Sequence, residues 1–443
     1  MKKTYLLLAC ISIAITMLTA CQSDNGDTPT PPPTARRTVV VYMAAENNLS
    51  GYSQSDINEI VRGRQLAPAN DNLVLFVDRA SSTEKPYIVK VTDDGKLEKL
   101  YEYSEDFLSS DPERMADVLR RCINLCPATE DYGLVLWGHA SGWIIEKDSV
   151  AHNNALAPSM SIDNTLAPSL SIDNAQTPRR AYGVDSGDNT ALLKGRWLNI
   201  PSLRQSLKQV GVMWKFIFCD CCNMVNVETA YELRDATPYL IGSPAEIPGQ
   251  GAPYTTLVKD FFKYDDKEMY TSICDDYYAQ IDDIGGRTPM AVVKTSQLKA
   301  LAQATRPLMA QVNNYLKTFN STQGMIYYYA YDHSKEMEKT LYDMNDVIRT
   351  AIGADTQEYR NWKVVFDQTV IYSKLSAKWY NKCIVLSDFS NGTAFKHGNE
   401  SFGGMSMFFP LEKYNNSGMS HAYNETIKKL AWYYAVGWSE LGW

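Results

Sequence analysis

A histidine and a cysteine, two residue types that together can cleave an acyl bond, each follow an apolar run of the sequence. His139 comes shortly after Gly133–Trp137, and Cys222 comes shortly after Lys215–Cys219. A neighbouring imidazole favours the thiolate, which is the nucleophilic form of cysteine. Either residue alone is more often structural than catalytic. The two together, at the ends of two apolar runs, predict a cysteine–histidine hydrolytic site.

The residues around this pair favour the same chemistry. Gly138 and Gly142 flank the histidine, and glycine permits the close backbone approach that a substrate-facing loop needs. Helical character at Val225–Arg234 predicts a helix that follows Cys222 at once. A helix N-terminus favours a thiolate, and backbone N–H groups at such a turn stabilise an oxyanion.

The runs that carry these residues belong to an alternating pattern of strands and helices. We predict strands at Thr38–Met43, Asn72–Val77, Gly133–Trp137 and Lys215–Cys219, a hairpin at Pro86–Tyr103, and helices at Gly51–Arg64, Asp111–Cys126, Leu203–Val210 and Val225–Arg234. This alternation is typical of an α/β fold with a doubly wound, mostly parallel sheet flanked by helices. In such sheets the functional residues lie beyond the carboxyl ends of the strands, where His139 and Cys222 both fall.

The C-terminal half shows a less regular pattern. We predict helices at Leu298–Phe319, Met337–Ile352 and Asn424–Trp438, and strands at Asp367–Leu375, Cys383–Leu386 and Gly403–Pro410. These elements either extend the first sheet or form a second α/β layer.

The N-terminus reads as an export signal. Lys2 and Lys3 precede the apolar run Tyr5–Leu18, which is too short for a comfortable membrane span. Leu18–Cys21 resembles the cleavage box of bacterial lipoproteins, which implies a signal peptide at 1–20 and acylation of Cys21. An ordinary cleaved signal peptide is the alternative. Residues 21–37 form an acidic and proline-rich linker, and its acidic start resembles the surface-export signal of Bacteroides-type lipoproteins. We therefore expect a lipid-anchored protein of the bacterial envelope, at the outer membrane and exposed on its surface.

Composition argues against several function classes. The formal charge of −8 argues against a broad basic surface for nucleic acid. The nine cysteines include no paired C-x-x-C sets with histidine partners, so a zinc site is not expected. No G-x-S-x-G motif occurs near a strand end, which argues against a serine esterase. The 28 tyrosines and 9 tryptophans suit either a surface that grips polymers or ordinary packing.

Five motifs resemble those of the clostripain-like cysteine peptidases, relatives of the caspases. They are Tyr42–Leu49, Trp137–Trp143, Asp220–Met224, Pro248–Tyr254 and Gly404–Pro410. The resemblance runs from about Val39 to the C-terminus and implies a caspase-like fold. A catalytic domain would occupy 38–255, and a C-terminal α/β region at 256–443 would complete it.

The resemblance also implies roles for single residues. Cys222 would be the nucleophile of an endopeptidase, and His139 would assist thiolate formation and protonate the leaving amine. The N–H groups of Gly138 and Cys222 would form the oxyanion hole. Asp220 would line the S1 pocket and select Arg or Lys at P1. A cap on the following helix is the alternative role for Asp220.

This chain departs from the family pattern at several positions. Glu46 stands where Asp is usual, Ala140 where Gly is usual, and Cys221 and Asn223 replace Ala and Leu. Cys221 either pairs with another thiol or fills an alanine-sized space. Because both members of the dyad are present, we expect an enzyme acting on proteins or peptides. The alternative is a surface lipoprotein on the same fold, with a weak or inactive site, that binds peptides or glycans.

The segment between the histidine and cysteine motifs carries two further features. A near-identical decapeptide, Ala155–Asn164 and Thr165–Asn174, predicts an exposed loop. Family members are often activated by cleavage after a basic residue in this region, and the candidates here are Lys147, Arg179 and Arg180. No cofactor is expected. Clostripain itself is linked to calcium, but this sequence has no loop like that of an EF-hand. The sequence therefore does not decide whether calcium is a cofactor.

Overall fold

The structure is a computed structural model that describes most of the chain from Ala35 onward. The described residues are 35–143, 181–185, 187, 195–281, 286–319, 325–330, 339–376, 379–381, 384–385, 399–415 and 423–443. The predictions for the signal and linker segments, Cys21, the duplicated decapeptide, Lys147, Arg179 and Arg180 lie outside these residues.

A nine-stranded mixed sheet dominates the described part of the chain, in the order β13-β10-β9-β8-β5-β1-β2-β3-β4. Its strands are β1 (Arg37–Ala45), β2 (Asn72–Arg79), β3 (Tyr87–Val91), β4 (Leu97–Glu102), β5 (Asp131–Gly138), β8 (Trp214–Asp220), β9 (Tyr239–Gly242), β10 (Met290–Lys294) and β13 (Val370–Lys374). The five central strands run parallel, and two antiparallel strands extend each edge. The predicted α/β class, parallel centre and β3–β4 hairpin are confirmed.

Smaller sheets complete the strand set. Strands β11 (Tyr327–Ala330), β12 (Lys339–Asp343) and β16 (Ser406–Phe408) form an antiparallel sheet, while β6 (Tyr182–Asp185) pairs with β7 (Arg196–Leu198) and β14 (Tyr380–Asn381) with β15 (Ile384–Val385). The C-terminal half therefore combines the two arrangements that the sequence left open, an extension of the first sheet and a separate layer. Strands β10 and β13 extend the main sheet, and β11, β12 and β16 form a separate one.

Helices cover both faces of the main sheet. They are α1 (Ser50–Arg64), α2 (Pro112–Leu125), α3 (Ile200–Val210), α4 (Val227–Leu233), α5 (Tyr254–Leu257), α6 (Asp266–Ala279), α7 (Leu298–Thr305), α8 (Met309–Phe319), α9 (Met344–Ile352), α10 (Gln357–Thr369), α11 (Tyr423–Ile427) and α12 (Ala431–Ala435). Short 3₁₀ turns occur at Val258–Phe262, Thr295–Gln297, Arg306–Leu308, Asn399–Ser401, Glu412–Asn415 and Trp438–Leu441. None of the described helices is long and apolar enough to cross a membrane.

Alternation along the strands divides the interior into two cores. Val40 and Tyr42 of β1 face the first core, with α2, α3 and α4, whereas Val39 and Val41 face the second core, with α1, α5 and α6. Both faces are buried, so the central strands read as continuous apolar runs. That is why the runs alone were enough to predict these strands.

Several C-terminal predictions need correction. The N-terminal part of the helix predicted at Met337–Ile352 is strand β12, because pairing with β11 and β16 on both sides overrides helical propensity. The strand predicted at Asp367–Leu375 begins only at Val370, after α10 ends. The helix predicted at Leu298–Phe319 is interrupted at Arg306–Leu308, where Pro307 lacks an N–H group. The helix predicted at Asn424–Trp438 is divided, because Leu430 is extended.

Arg37, which the sequence placed in the linker, is instead the first residue of β1 and fully buried. Its guanidinium pairs with Asp131 of the neighbouring strand. The same group donates to the carbonyl oxygens of Phe261 and Lys263, both at 2.8 Å. One buried cation thus joins the start of β1 to the segment that covers the second core.

Replacement of Arg37 by Gln should destabilise the protein by about 3 kcal/mol, because it leaves the Asp131 carboxylate and two carbonyl groups without their cation. Arg36→Gln is the matched control. Arg36 pairs with Glu130 at the exposed surface, where solvent screens the pair, so its loss should cost much less than the loss of Arg37. Urea unfolding followed by tryptophan fluorescence measures both variants. Equal losses in the two would contradict the buried role of Arg37.

Candidate active site

The register of two neighbouring parallel strands brings the histidine and cysteine segments to the same end of the sheet, where the carboxyl ends of the parallel strands lie. Strands β5 and β8 are adjacent, and Trp137 lies opposite Asp220. His139 and Cys222 each follow that pair by two residues, and both side chains are partly exposed. Since adjacent strands lie about 4.8 Å apart, the two segments leave the sheet side by side.

Close packing of the two loops beyond these strands depends on Gly142. Its φ is +63°, and a Cβ built there would lie 2.4 Å from Asn226 Nδ2 and 2.8 Å from the Asn223 oxygen. Asn226 itself donates to the Asn223 oxygen at 2.7 Å. A residue with a side chain could not occupy position 142 without separating the histidine loop from the cysteine turn.

Cys222 lies in a turn, and helix α4 does not follow it at once as predicted. The helix begins at Val227, and Asn226 caps it by accepting from the Thr229 N–H at 2.7 Å. The alternative role of Asp220 as a helix cap is therefore wrong. The N-cap of this helix is therefore four residues past Cys222 in the chain, and the helix does not begin at the thiol.

The backbone of Ile247, in the loop after β9, contacts the thiol. Its N–H points at Cys222 Sγ from 3.4 Å, and its carbonyl oxygen lies 3.9 Å from the same sulfur. The turn is fixed to this loop by a hydrogen bond from the Asn223 N–H to the Ala245 oxygen at 2.8 Å. The Ile247 N–H favours the thiolate, whereas its carbonyl oxygen accepts from the S–H group and favours the thiol, so the loop can hold the sulfur in either form.

His139 is oriented by a residue from the end of another strand. Its Nε2 lies 2.6 Å from Oδ1 of Asn48, three residues beyond β1. An amide oxygen only accepts hydrogen bonds, so in the neutral imidazole Nε2 carries the proton and Nδ1 carries the basic lone pair. Trp197 lies beside the ring, with 6.2 Å between the ring centroids.

Asp220 is buried beneath the site on the second-core face of the sheet. Its carboxylate accepts hydrogen bonds from the Ala252 N–H at 3.1 Å, the Tyr254 hydroxyl at 2.8 Å and the Tyr277 hydroxyl at 3.2 Å. Burial raises the pKa of Asp220 to about 6 despite these donors, which lower it. The group therefore remains an anion at neutral pH in a place of low polarity.

A second carboxylate, Asp56 of α1, faces the first. Its Oδ2 accepts from the Trp137 indole N–H at 2.7 Å. Gly251 lies between the two acids: a Cβ there would be 2.9 Å from Asp220 Oδ2 and 3.3 Å from Asp56 Oδ2. Burial, and then repulsion from Asp220, raise the pKa of Asp56 to about 8. Because it has no side chain, Gly251 can pack directly against two acids with different affinities for a proton.

The other thiols of this region are inert by position. Cys219 and Cys221 are buried, and neither forms a disulfide among the described residues. Burial raises the pKa of Cys221 well above its ordinary value, so it stays a thiol. Cys221 accordingly fills space, as one of the two sequence alternatives proposed. Ala140, which stands where the family usually has glycine, does not have a positive φ and so is not strained. In the described part of the chain, the non-glycine residues with positive φ are Asn70 and Asn223.

Sequence reasoning missed the residues that surround the predicted pair. Asn48 and Tyr254 lay inside recognised motifs without a role, and Asp56 and Tyr277 were not singled out. Nothing in the sequence places an acid of α1 next to Asp220, since that depends on how α1 packs on the sheet. The sequence likewise gives no sign that two tyrosine hydroxyls donate to the buried Asp220.

The fold and site define an α/β protein of the caspase-like type with a cysteine and a histidine at one sheet edge. A model of the clostripain family matches residues 41–161 and 169–443, and the chain belongs to that family. A search of curated proteins gave no match.

Solved structures of family members share the fold. A secreted C11 cysteine protease from Bacteroides thetaiotaomicron, in complex with an irreversible peptide inhibitor, is 25% identical with a TM-score of 0.66, over 91% of this chain and 99% of that one. An inactive zymogen C11 protease from Parabacteroides distasonis is 24% identical with a TM-score of 0.67, at the same coverage of both chains. The resemblance found in the sequence is thereby confirmed at the level of family and fold.

Substituting Gly142 by Ala should lower stability by about 3 kcal/mol, the sum of left-handed backbone strain and overlap with Asn226. Gly211→Ala is the matched control. It also has positive φ, at +81°, but a Cβ there meets nothing within 4 Å. That variant should lose only about 1 kcal/mol. Chemical denaturation compares the two, and a loss at Gly142 no larger than at Gly211 would refute the close approach of the two loops.

Proposed function

We propose that the protein is a cysteine endopeptidase that hydrolyses peptide bonds after Arg or Lys with a Cys222–His139 dyad. The observation that supports this most directly is the register of β5 and β8, which puts both residues two positions past a paired Trp137 and Asp220. The packing of Gly142 against the cysteine turn keeps the two loops together. Membership of a cysteine peptidase family supplies the reaction class.

The proposed mechanism assigns one task to each group. His139 Nδ1 takes the proton of Cys222, and the thiolate attacks the scissile carbonyl carbon to form a tetrahedral oxyanion. The N–H groups of Gly138 and Cys222 would bind that oxyanion. His139 then gives its proton to the leaving amine as the C–N bond breaks, and water hydrolyses the acyl-enzyme. Asn48 and Ile247 hold the imidazole and the sulfur in place for these steps.

Specificity for a basic P1 residue follows from the paired acids. A guanidinium or ammonium that reached the two acids beside Gly251 would be neutralised by the carboxylates of Asp220 and Asp56. Both carboxyl groups lie on the second-core side of the sheet, below the site, where a P1 side chain would reach inward. The cation would lower both pKa values and draw the proton from Asp56.

We further propose an envelope location and activation by cleavage. The Bacteroides thetaiotaomicron relative at 25% identity is described as secreted, which agrees with the export signal read from residues 1–20. Acylation of Cys21 would then hold the enzyme at a membrane with protein or peptide substrates outside the cell. Lys147, Arg179 and Arg180 lie between the histidine and cysteine segments and fit the proposed P1 preference as self-cleavage positions.

Cys222→Ala and His139→Ala should each lower kcat/KM on a P1-Lys or P1-Arg reporter peptide by about 10³-fold or more, because each removes a member of a unit that acts together. Cys221→Ala is the matched control, since its thiol is buried and adjacent. It should keep most of the wild-type rate. A P1-Asp peptide should not be cut. Full activity in Cys222→Ala, or loss in Cys221→Ala alone, would remove Cys222 as the nucleophile.

Binding of benzamidine, a cationic P1 mimic, should tighten about tenfold between pH 5 and pH 7 as Asp220, with a pKa of about 6, loses its proton. The wild-type chain is used, because benzamidine binds reversibly and a Cys222→Ala chain could not undergo the self-cleavage proposed above. Asp220→Asn should abolish this rise and weaken binding about 10- to 100-fold at pH 7. Asp56→Asn should leave the rise below pH 7 intact but remove further tightening toward pH 9, since the pKa of Asp56 is about 8. A flat profile in the parent protein would exclude this pocket.

A further inference from the structure

One buried carboxyl group lies where the histidine loop, helix α4 and the C-terminal sheet meet. Glu228, the second residue of α4, is fully buried. Its Oε1 accepts from the Phe408 N–H of β16 at 2.8 Å, and its carboxyl group also adjoins the Trp143 indole. We propose that Glu228 is a positioning residue that holds the histidine loop, residues 139–143, in place for the dyad through Trp143. This role rests on the proposed peptidase function.

The contact between Glu228 and Trp143 joins two polar groups that complement each other. Glu228 Oε2 and Trp143 Nε1 are both buried, and neither has another hydrogen-bond partner in the described part of the chain. A buried donor and a buried acceptor are each costly when left unpaired. Each group therefore stabilises the other, and their separation would leave both without a partner.

Glu228 is accommodated at this position as a neutral group. Burial raises the pKa of Glu228 to about 8, although hydrogen bonds from the Phe408 N–H and the Trp143 indole act to lower it. The carboxyl group is thus mostly protonated at pH 7. A neutral carboxyl group can remain in these apolar surroundings, where its oxygens accept from donors on two different segments.

The bond between Glu228 and Phe408 extends a junction between α4 and the C-terminal sheet. The Ser406 N–H of β16 donates to the oxygen of Val225, just before α4, at 3.2 Å. The rings of Phe408 and Trp143 pack edge to face, with 5.0 Å between their centroids. Trp143 is thereby held by a carboxyl group of α4 and by an aromatic ring of β16.

The histidine loop is thus fixed at both of its ends. At its start, the Gly183 N–H of β6 donates to the His139 oxygen at 2.8 Å. At its end, Trp143 contacts Glu228 on the helix that follows the cysteine turn. Between these ends, Gly142 meets the cysteine turn by close packing. Loss of the contact at the end would let the loop move away from the nucleophile, and a misplacement of about 1 Å can cost about 100-fold in rate.

A double-mutant cycle tests this role, with kcat and KM measured on a P1-Lys reporter peptide. Glu228→Gln keeps an oxygen for the Phe408 N–H but places an amide nitrogen, which cannot accept, at the indole. Trp143→Phe removes the indole N–H and keeps a ring. Each variant should lower kcat about tenfold and leave KM within about twofold, because Asp220 and Asp56 lie on the other face of the sheet. The double variant should lower kcat no further than the more affected single variant.

Glu232→Gln is the matched control. Glu232 lies one turn further along α4 and is also buried, and it accepts from the Ala431 N–H of α12 at 2.6 Å and pairs with Arg204 of α3 at 3.5 Å. Its replacement breaks a buried ion pair, so it should lower the melting temperature at least as much as Glu228→Gln while keeping kcat. The melting temperature of every variant confirms that it is folded.

Three results would overturn the role of Glu228. They are an unchanged kcat in either single variant, a loss in the double variant equal to the product of the two single losses, and an equal fall of kcat in Glu232→Gln. A parent chain that cleaves no reporter peptide would refute the peptidase proposal and this role with it. An active parent together with any of the three results would refute this role alone.

Discussion

The in-register pairing of β5 with β8 is the constraint on which the site depends. Hydrogen bonding between parallel strands fixes Trp137 opposite Asp220, and the chain leaves both strands at the same level. A slip by one residue would turn every side chain of one strand to the other face, and the two apolar cores forbid that. Gly142 then allows the loops beyond the strands to touch. The placement of His139 and Cys222 side by side thus depends on the burial of both sheet faces and on Gly142, a position where a side chain would not fit.

Buried acids on opposite faces of the sheet complete the arrangement. Asp220 continues the row of Phe216 and Phe218, which face the second core, whereas Asp78 continues the row of Val74 and Phe76, which face the first. Burial raises the pKa of both acids, so each carboxyl group is stabilised by a proton or a cation close by. At Asp220 a P1 side chain would supply that cation, whereas Asp78 shares a hydrogen bond with the carboxyl group of Asp185. His139 lies between these two regions, held by Asn48 and by the β6 backbone.

The parts of the fold that sequence alone predicted are those decided by local pattern. The strands at Val39–Val41 and Phe216–Phe218 are apolar on both faces, and continuous apolar runs of that kind have few other solutions. The β12 strand was missed because its short segment acquires its conformation from pairing with β11 and β16. Predicting an immediate helix after Cys222 failed because a turn held by Ile247 and Ala245 intervenes. The positions of Asp56 and of the buried Asp78–Asp185 pair depend on contacts between distant segments, which a single sequence does not reveal.

Covalent labelling tests the central claim most directly. A peptidyl-lysine acyloxymethyl ketone, which reacts with activated thiolates, is added to the native chain, and the adduct is located by digestion and mass spectrometry. Our account predicts one adduct per chain, on Cys222, and none after the protein is unfolded beforehand. An adduct on Cys219, Cys221 or another cysteine, or equal labelling of the native and unfolded chains, would contradict a thiol activated by its place at this sheet edge.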